Sequence, residues 1–383
     1  MSKRNVWTEA KRSKLIMGLK LGATNQELAQ EFKTTPKAIE RAINNYGLSK
    51  YRKERKIQTT DEILVQEVKR KKVTRNEAQE LIKYIGAEIY NRFQVIPLPE
   101  PKAKKSKTKK EEISILDISD VHVGMINETF DNRLGKQVVT YNHEILLKEM
   151  ANLQKAIFDI HGILEPSYRL RKIVINVLGD IITNDRIFEE QVFEIEECAG
   201  KQIWTAIPLF SKFFNNLLNI YEEVEVNCVV GNHGRSRNQY NEPVENNFEY
   251  FVYKTWEKQF QDSKRVKINV PDSRRAIVQI GPFRHLLEHG DAIRGFSENA
   301  VEKQINNLHR EMGGFDVMHF GHLHKLKERE ISDKVIVKQN GCWIWKDDYA
   351  FKYFKTYSVP KQHFFGCNDK RVETWNYKLD LRY

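Results

Sequence analysis

Five times between residues 113 and 324, a short apolar run stops at a polar cluster. ISILDIS (113–119) gives way to Asp120-Val121-His122, and KIVINVL (172–178) to Gly179-Asp180. VEVNCVV (224–230) leads into Gly231-Asn232-His233, RHLLE (284–288) into His289-Gly290-Asp291, and DVMHF (316–320) into Gly321-His322-Leu323-His324. Runs of this length and residue type read as strands. In an α/β sheet the loops beyond the carboxyl ends of the strands gather round one crevice, so five such clusters can share a pocket. Their side chains are carboxylates, imidazoles and an amide, with no thiolate. Divalent Mn, Fe, Zn or Ni accept that mixture. Two such ions roughly 3.5–4 Å apart acidify a shared water and clamp phosphoryl oxygens.

The residues between these runs place them in an α/β domain. Amphipathic helical stretches lie around 146–160, 193–220 and 248–260, alternating with the first strands. More closely spaced strands follow: VKINV (266–270), AIVQI (276–280), VIVKQ (335–339), HFFG (363–366) and VETWNY (372–377). They predict a second sheet stacked on the first. Cys198, Cys228, Cys342 and Cys367 are far apart and form no C-x-x-C pair, and Cys228 and Cys342 sit in apolar, strand-like runs. That usage predicts reduced, buried thiols in a cytosolic protein, with neither a disulfide framework nor a zinc–thiolate site. No apolar run approaches 18 residues and the N-terminus has no apolar stretch, so neither a membrane span nor a secretory signal is expected. The cytoplasm of a bacterium or of a phage-infected cell suits this layout.

The first third of the chain has a different character. Residues 1–110 carry 27 Lys+Arg against 12 Asp+Glu, whereas the remaining residues carry 36 against 40. A basic module joined to a nearly neutral one predicts that the first holds a polyanion, the other reading being a solvated lysine-rich tail. Residues 1–50 read as a compact helical unit. Trp7, Leu15, Ile16 and Leu19 recur at helical spacing, and Gly22 ends that helix. Thr24 is placed to cap the next, with Glu27 as its capping-box partner and Leu28, Ala29 and Phe32 as its apolar stripe. Thr34 and Thr35 precede Pro36, and Ile39, Ala42, Ile43 and Tyr46 form the buried face of a third helix ended by Gly47. Residues 51–96 read as a charged helical spacer, with Ile63, Leu64 and Val68, then Leu81, Ile82, Ile85 and Ile89. Residues 97–112 read as a basic flexible linker, because prolines and lysines without large apolar residues cannot bury a core.

Two resemblances follow from these residues. The pattern T-x-x-E-L-A-x-x-F-x-T-T-P-x-A-I-x-x-A-I over 24–43, behind a leading tryptophan, resembles a helix-turn-helix of the Myb-like kind. That resemblance implies a third helix lying in the DNA major groove, with Lys37, Glu40, Arg41, Asn44 and Asn45 meeting bases or phosphates. The series D-x-H, GD, GNH, HG and GHxH, in this order, resembles the calcineurin-like metallophosphoesterase superfamily across 113–383. The resemblance implies a β-sandwich flanked by helices, preceded here by the small all-α domain, with a dinuclear site at the sheet ends. It implies Asp120, His122 and His324 on the first metal, Asp180 bridging, and Asn232, His289 and His322 on the second. It also implies His233 as the group that touches the phosphate and protonates the leaving oxygen.

Two positions depart from the family pattern. Gly234 stands where an acid commonly follows GNH, and Thr183, followed by Asn184 and Asp185, stands where GDxxD would place its second acid. Arg235 and Arg237 follow directly and either grip substrate phosphates or belong to a solvated loop. Asp120-Val121-His122-Val123-Gly124 matches the D-x-H-x-G form of the DNA-repair exonuclease branch. The expectation is therefore a metal-dependent phosphodiesterase, a DNA nuclease that activates a bridging water between two divalent ions. Mn is the first choice of metal, with Fe, Zn or Ni as others. The basic N-terminal part would tether it to DNA. A homodimer and an ATPase partner are what that branch implies. The alternatives are a phosphomonoesterase acting on a nucleotide or phosphoprotein, and a non-catalytic DNA-binding protein that keeps the metal site for structure.

Overall fold

The computed structural model describes residues 9–20, 23–51, 101, 110–293, 298–331, 335–347, 351–352, 355 and 357–383. Trp7, Gly22, the spacer beyond Tyr51 and the linker apart from 101 and 110–112 lie outside the described residues. The chain divides into two compact units, 1–73 and 74–383.

The first unit packs three helices: α1 (Glu9–Lys20), α2 (Asn25–Glu31) and α3 (Pro36–Asn45). Thr24 accepts from the Glu27 amide while the Glu27 carboxylate takes the Thr24 amide, the reciprocal capping box. Thr35 caps α3 by accepting from the Ala38 amide, with Pro36 at the first helical position. Leu15, Leu19, Leu28, Ala29, Ile39, Ala42, Ile43 and Leu48 form the core. Tyr46, expected on the buried face, is 41% exposed. It caps α3 at the point where the helical phase ends, and the Arg12 guanidinium sits 4.7 Å from its ring centroid.

The second unit contains two stacked sheets. Its strands in chain order are β1 (Glu111–Ile118), β2 (Asn127–Asp131), β3 (Lys136–Tyr141), β4 (Arg169–Val177), β5 (Glu223–Cys228), β6 (Val266–Asn269), β7 (Arg275–Ile280) and β8 (Phe283–Glu288). They continue with β9 (Val317–Phe320), β10 (Lys327–Ile331), β11 (Val335–Gln339), β12 (Lys361–Cys367) and β13 (Trp375–Asp380). The first sheet has the order β13-β12-β1-β4-β5-β6 and the second β10-β11-β9-β8-β7, while β2 and β3 form a separate hairpin. Strands β1, β4, β5 and β6 run parallel, as do β8, β9 and β11.

Helices α4 (His143–Leu164), α5 (Ala199–Leu217) and α6 (Phe248–Gln259) connect the parallel strands of the first sheet. They bury Leu153, Ile157, Phe210, Phe214 and Trp256 in one cluster with Leu116, Ile118, Ile173 and Ile175 of that sheet. The other face of β1 and β4 carries Ile115 and Val174, which meet Ile280 of β7 and Phe365 between the sheets. Alternation of side chains along a strand produces this two-sided burial. Helix α7 (Glu298–Glu311) covers the second sheet through Val301, Ile305 and Leu308. The layers are thus helix, sheet, sheet, helix, the mixed α/β arrangement expected.

Three local expectations are corrected. The helix expected from 193 begins at Ala199. Before it, the Ile126 amide donates to Glu194 and the Glu196 amide to Gly124, so backbone that would have been helical pairs with a loop. Cys342 lies in a loop rather than a strand, and VETWNY becomes extended only at Trp375. All four cysteines are free, and three are buried. Among the described residues, no helix is long and apolar enough to cross a membrane.

Candidate metal centre

The ladder between β1 and β4 does not stop where the strands end. The Asp120 amide donates to Gly179 at 3.1 Å, His122 to Asp180 at 3.0 Å and Val123 to Ile181 at 2.8 Å. The D-x-H and GD loops are therefore held side by side by backbone bonds. Asp120, His122, Asp180, His322 and His324 have φ of 51°, 53°, 53°, 66° and 52°. This left-handed region is sparsely populated for residues with a Cβ, although Asp and His tolerate it better than most. The intervening Val121 and Leu323 are buried at 0% and 3% exposure, so each motif anchors its middle residue in the core and turns the outer two to the site. Close approach also demands bare backbone. A Cβ on Gly231 would lie 2.0 Å from Asp180 Oδ1, and one on Gly321 would lie 2.4 Å from Asp120 Oδ2.

The loops bring three sets of donor atoms together, each within 4.8 Å: Asp120, His122 and His324; Asp180, His289 and His322; and His122, Asp180 and His233. Asn232 joins them, its Oδ1 lying 2.9 Å from His289 Nε2, which is itself 2.9 Å from Asp180 Oδ2. All seven sequence-predicted ligands thus converge, with His233 beside them. Asp180 and His122 belong to more than one set, the placement a bridging carboxylate requires.

Several rings are held in one orientation. His289 Nδ1 donates to the Leu178 carbonyl at 2.8 Å, leaving Nε2 for the site. His324 Nδ1 donates to Asp347 Oδ2 at 2.6 Å and likewise turns Nε2 inward, 3.3 Å from His122 Nε2. A carboxylate or carbonyl behind an imidazole is the usual way a metal-binding tautomer is fixed. His233 Nδ1 lies 2.9 Å from the Thr183 carbonyl and 2.9 Å from Gln191 Nε2, and Nε2 faces Asp180 Oδ2 at 4.0 Å.

Burial raises the Asp180 carboxyl, but the imidazoles of His289, His233 and His122 outweigh it and hold it well below the usual carboxylate range. Burial lowers His289, yet Asp180 and Asp120 lift it to about 10. Burial also lowers His324, and Asp347 more than reverses this. In His122 burial wins, helped by His233 and His324, and its pKa falls well below the ordinary value. His322 drops to about 4 through burial and the neighbouring His289. The same enclosed space therefore draws positive charge onto two imidazoles while keeping two others neutral. Buried carboxylates, neutral imidazoles and an amide oxygen fit divalent transition ions.

The two departures from the family pattern have a structural counterpart. Where an acid would follow GNH, a Cβ on Gly234 already lies 2.1 Å from Asn247 Oδ1 and 2.6 Å from Glu249 Cγ. Those two residues, at the start of α6, occupy the space. The Glu249 carboxylate is fully buried and accepts from the Gly231 amide at 2.6 Å and the Ile181 and Ile182 amides at 2.5 and 3.3 Å. Asn247 Nδ2 donates to the Gly231 carbonyl at 2.9 Å. A carboxylate remote in sequence thus ties the Asp180 loop to the Asn232 loop. Near Thr183, Asn184 Nδ2 donates to the carbonyls of His233 and Arg235 at 2.7 and 2.8 Å. Sequence reasoning missed Glu249, Asn247, Gln191 and Asp347. An acid in the first turn of a helix is ordinary, and nothing local to WKDD or FEEQVF marks the others.

Arg235 is 6% exposed and its guanidinium is paired with Asp291, while Arg237 is half-buried and outside the three donor sets. In the first unit Lys37, Glu40, Arg41, Asn44 and Asn45 are all exposed on α3.

No family model and no curated protein matches the chain. Similar solved structures include wild-type Vps29 complexed with zinc from Entamoeba histolytica, with 13% identity, coverage of 70% of this chain and 99% of that one, and TM-score 0.31. An archaeal phosphodiesterase has 12% identity, coverage of 70% and 99%, and TM-score 0.31. A conserved Streptococcus pneumoniae protein described as a predicted phosphoesterase has 10% identity, coverage of 70% and 99%, and TM-score 0.30. Likeness at this level carries no argument, and the chemistry rests on the site itself.

Proposed function

We propose that the protein is a metal-dependent phosphodiesterase of the calcineurin-like metallophosphoesterase kind, acting on DNA as a nuclease. The observation that carries this reading is the convergence of Asp120, His122, Asp180, Asn232, His289, His322 and His324 from five loops, with Asp180 shared between donor sets. Asp120, His122 and His324 would hold one ion, Asn232, His289 and His322 the other, and Asp180 both. When bound, the ions supply Lewis acidity toward the phosphoryl oxygens and acidify a shared water.

The chain's own residues do the rest. Leu178 and Asp347 fix the rings of His289 and His324 so that Nε2 faces the site, where an ion would displace its proton. With Nδ1–H on the Thr183 carbonyl, His233 presents Nε2 on the Asp180 side, and in its doubly protonated form would give the Nε2 proton to the departing oxygen. The excess of Lys and Arg in residues 1–110, and the exposed Lys37, Arg41, Asn44 and Asn45 on α3, support a helix-turn-helix that tethers the enzyme to DNA and raises its local concentration.

Purified protein with Mn²⁺ is tested against single-stranded, duplex and nicked DNA, and against small phosphate mono- and diesters. Cleavage of DNA and of the diester, lost in Asp180→Asn with DNA affinity retained, is the expected result. Turnover unchanged in Asp180→Asn would refute the bridging role, and hydrolysis of monoesters alone would replace the nuclease with a phosphomonoesterase.

A further inference from the structure

Beside the metal ligands lies a cleft of about 510 Å³, lined by Asn232, Arg235, Asn238, Tyr240, Asp291, Ala292 and His322. Its size falls within the range of small-ligand sites. Two of its residues, Asn232 and His322, are proposed ligands of one metal, so whatever occupies the cleft is continuous with the reacting phosphate.

Tyr240 and Arg235 line the same cleft. Tyr240 is 44% exposed. The Arg235 guanidinium lies 5.4 Å and the Arg274 guanidinium 4.9 Å from its ring centroid. Each guanidinium has a partner of its own. Arg235 is paired with Asp291, and Arg274 Nη2 donates to the Glu242 carbonyl at 2.5 Å. Arg235 Nε is buried and has no partner among the described residues. Asn238, exposed on the same cleft, carries an amide with a donor and an acceptor side by side.

We propose that this cleft is a nucleoside subsite, in which the base of a nucleotide stacks against Tyr240 beside Arg235 while its phosphate reaches the ligands Asn232 and His322. A π-face and planar guanidinium groups suit any base without selecting one, and the Asn238 amide matches the paired donor and acceptor of a base edge. A lining of Arg, Asp, Asn and Tyr side chains disfavours an aliphatic chain in the same place. The inference rests on the phosphodiesterase reading and specifies its substrate class as a nucleotide ester.

The test uses the full chain loaded with Mn²⁺ and two esters sharing one leaving group: thymidine 5′-(p-nitrophenyl phosphate) and methyl p-nitrophenyl phosphate. Stacking is worth about 1–3 kcal/mol per base, or roughly 5- to 150-fold. The ratio of kcat/KM for the two esters should fall by that factor in Tyr240→Ala, through KM, and be retained in Tyr240→Phe. Calorimetric binding of AMP and of orthophosphate to the same proteins is the second arm, and the AMP preference should shrink in parallel. An unchanged ratio and an unchanged AMP preference in Tyr240→Ala overturn the subsite. Failure of the parent to cleave either ester would instead strike the phosphodiesterase reading, and the binding arm would still decide the subsite.

Discussion

Glu249→Gln separates positioning from stability at the metal centre. The glutamate takes three amides, from Ile181, Ile182 and Gly231, with no water-exposed surface. An amide of the same shape can satisfy one side only, so its NH₂ must face at least one of these N–H groups. A buried donor stripped of its acceptor costs about 1–3 kcal/mol. An opposing effect has similar size. Burial, and then the charge of Asp180, push the Glu249 carboxyl from 4.5 up to about 7 in the metal-free protein. That shift corresponds to roughly 3 kcal/mol of unfavourable ionisation, which the neutral amide removes. The two nearly cancel, so the variant should melt within a few degrees of the parent in EDTA. Function has no such compensation. Loosening the group that holds the Asp180 and Asn232 loops together should weaken metal affinity about 10- to 100-fold. Misplacement on the order of 1 Å should lower turnover about 100-fold at saturating Mn²⁺. Metal titrations of diester hydrolysis, paired with thermal melts, read both quantities. A folded variant with the parent's half-saturating metal concentration and turnover would refute the positioning argument, and a collapse of the melting temperature would refute the cancellation.

Placing an acid after GNH with Gly234→Asp should be harmful, because its Cβ meets Asn247 Oδ1 and Glu249 Cγ. Displacing the cap of α6 and overfilling the space should cost about 2–4 kcal/mol, seen as a lower melting temperature. Glu149 on α4 is raised from 4.5 to about 9, by burial first and then by Asp380. Its contribution to stability is present below the unfolded value near 4.5 and is lost as the pH rises through about 9. Glu149→Gln should therefore stabilise the protein by on the order of 3 kcal/mol at pH 7, and no growth in that difference between pH 5 and pH 8 would contradict the burial argument. Lys37→Ala and Arg41→Ala should weaken DNA binding and each reduce the slope of log affinity against log salt by about one, which anisotropy titrations across salt concentrations will show.

What could be read from the sequence was local. Val, Ile and Leu runs ending in charged residues marked the strands whose ends carry the ligands, because burial on both faces leaves an uninterrupted apolar signature. The hairpin of β2 and β3 was missed although NETFD alternates buried and exposed, since its apolar residues are too few to stand out. Helix α7 was missed despite the spacing of Val301, Ile305 and Leu308, because its charged residues mask the stripe. The ligands carried short motifs, whereas the groups that hold them did not. Asp347 lies 23 residues from His324, and Glu249 lies 68 residues from Ile181. Only the fold brings such partners together, so single-chain pattern reading had no access to them. For Arg235, placed after GNHG, the sequence left a phosphate grip and a solvated loop open, and the fold buries it with Asp291 and the ring of Tyr240 beside it.

The left-handed backbone at Asp120, His122, Asp180, His322 and His324 also bears on how this protein can change over generations. Glycine adopts that conformation freely, whereas a residue with a Cβ pays for it. Selection for stability alone would thus push these positions toward glycine, and only selection for chemistry opposes it. A lineage freed from turnover should lose His122, His322 and His324 early, because they hold less of the surrounding backbone. Asp120 and Asp180 should persist longer, since they accept the amides of His322 and His233. Descendants that keep both aspartates but carry glycine at the histidines would have lost the proposed site, and those that keep all five would retain it.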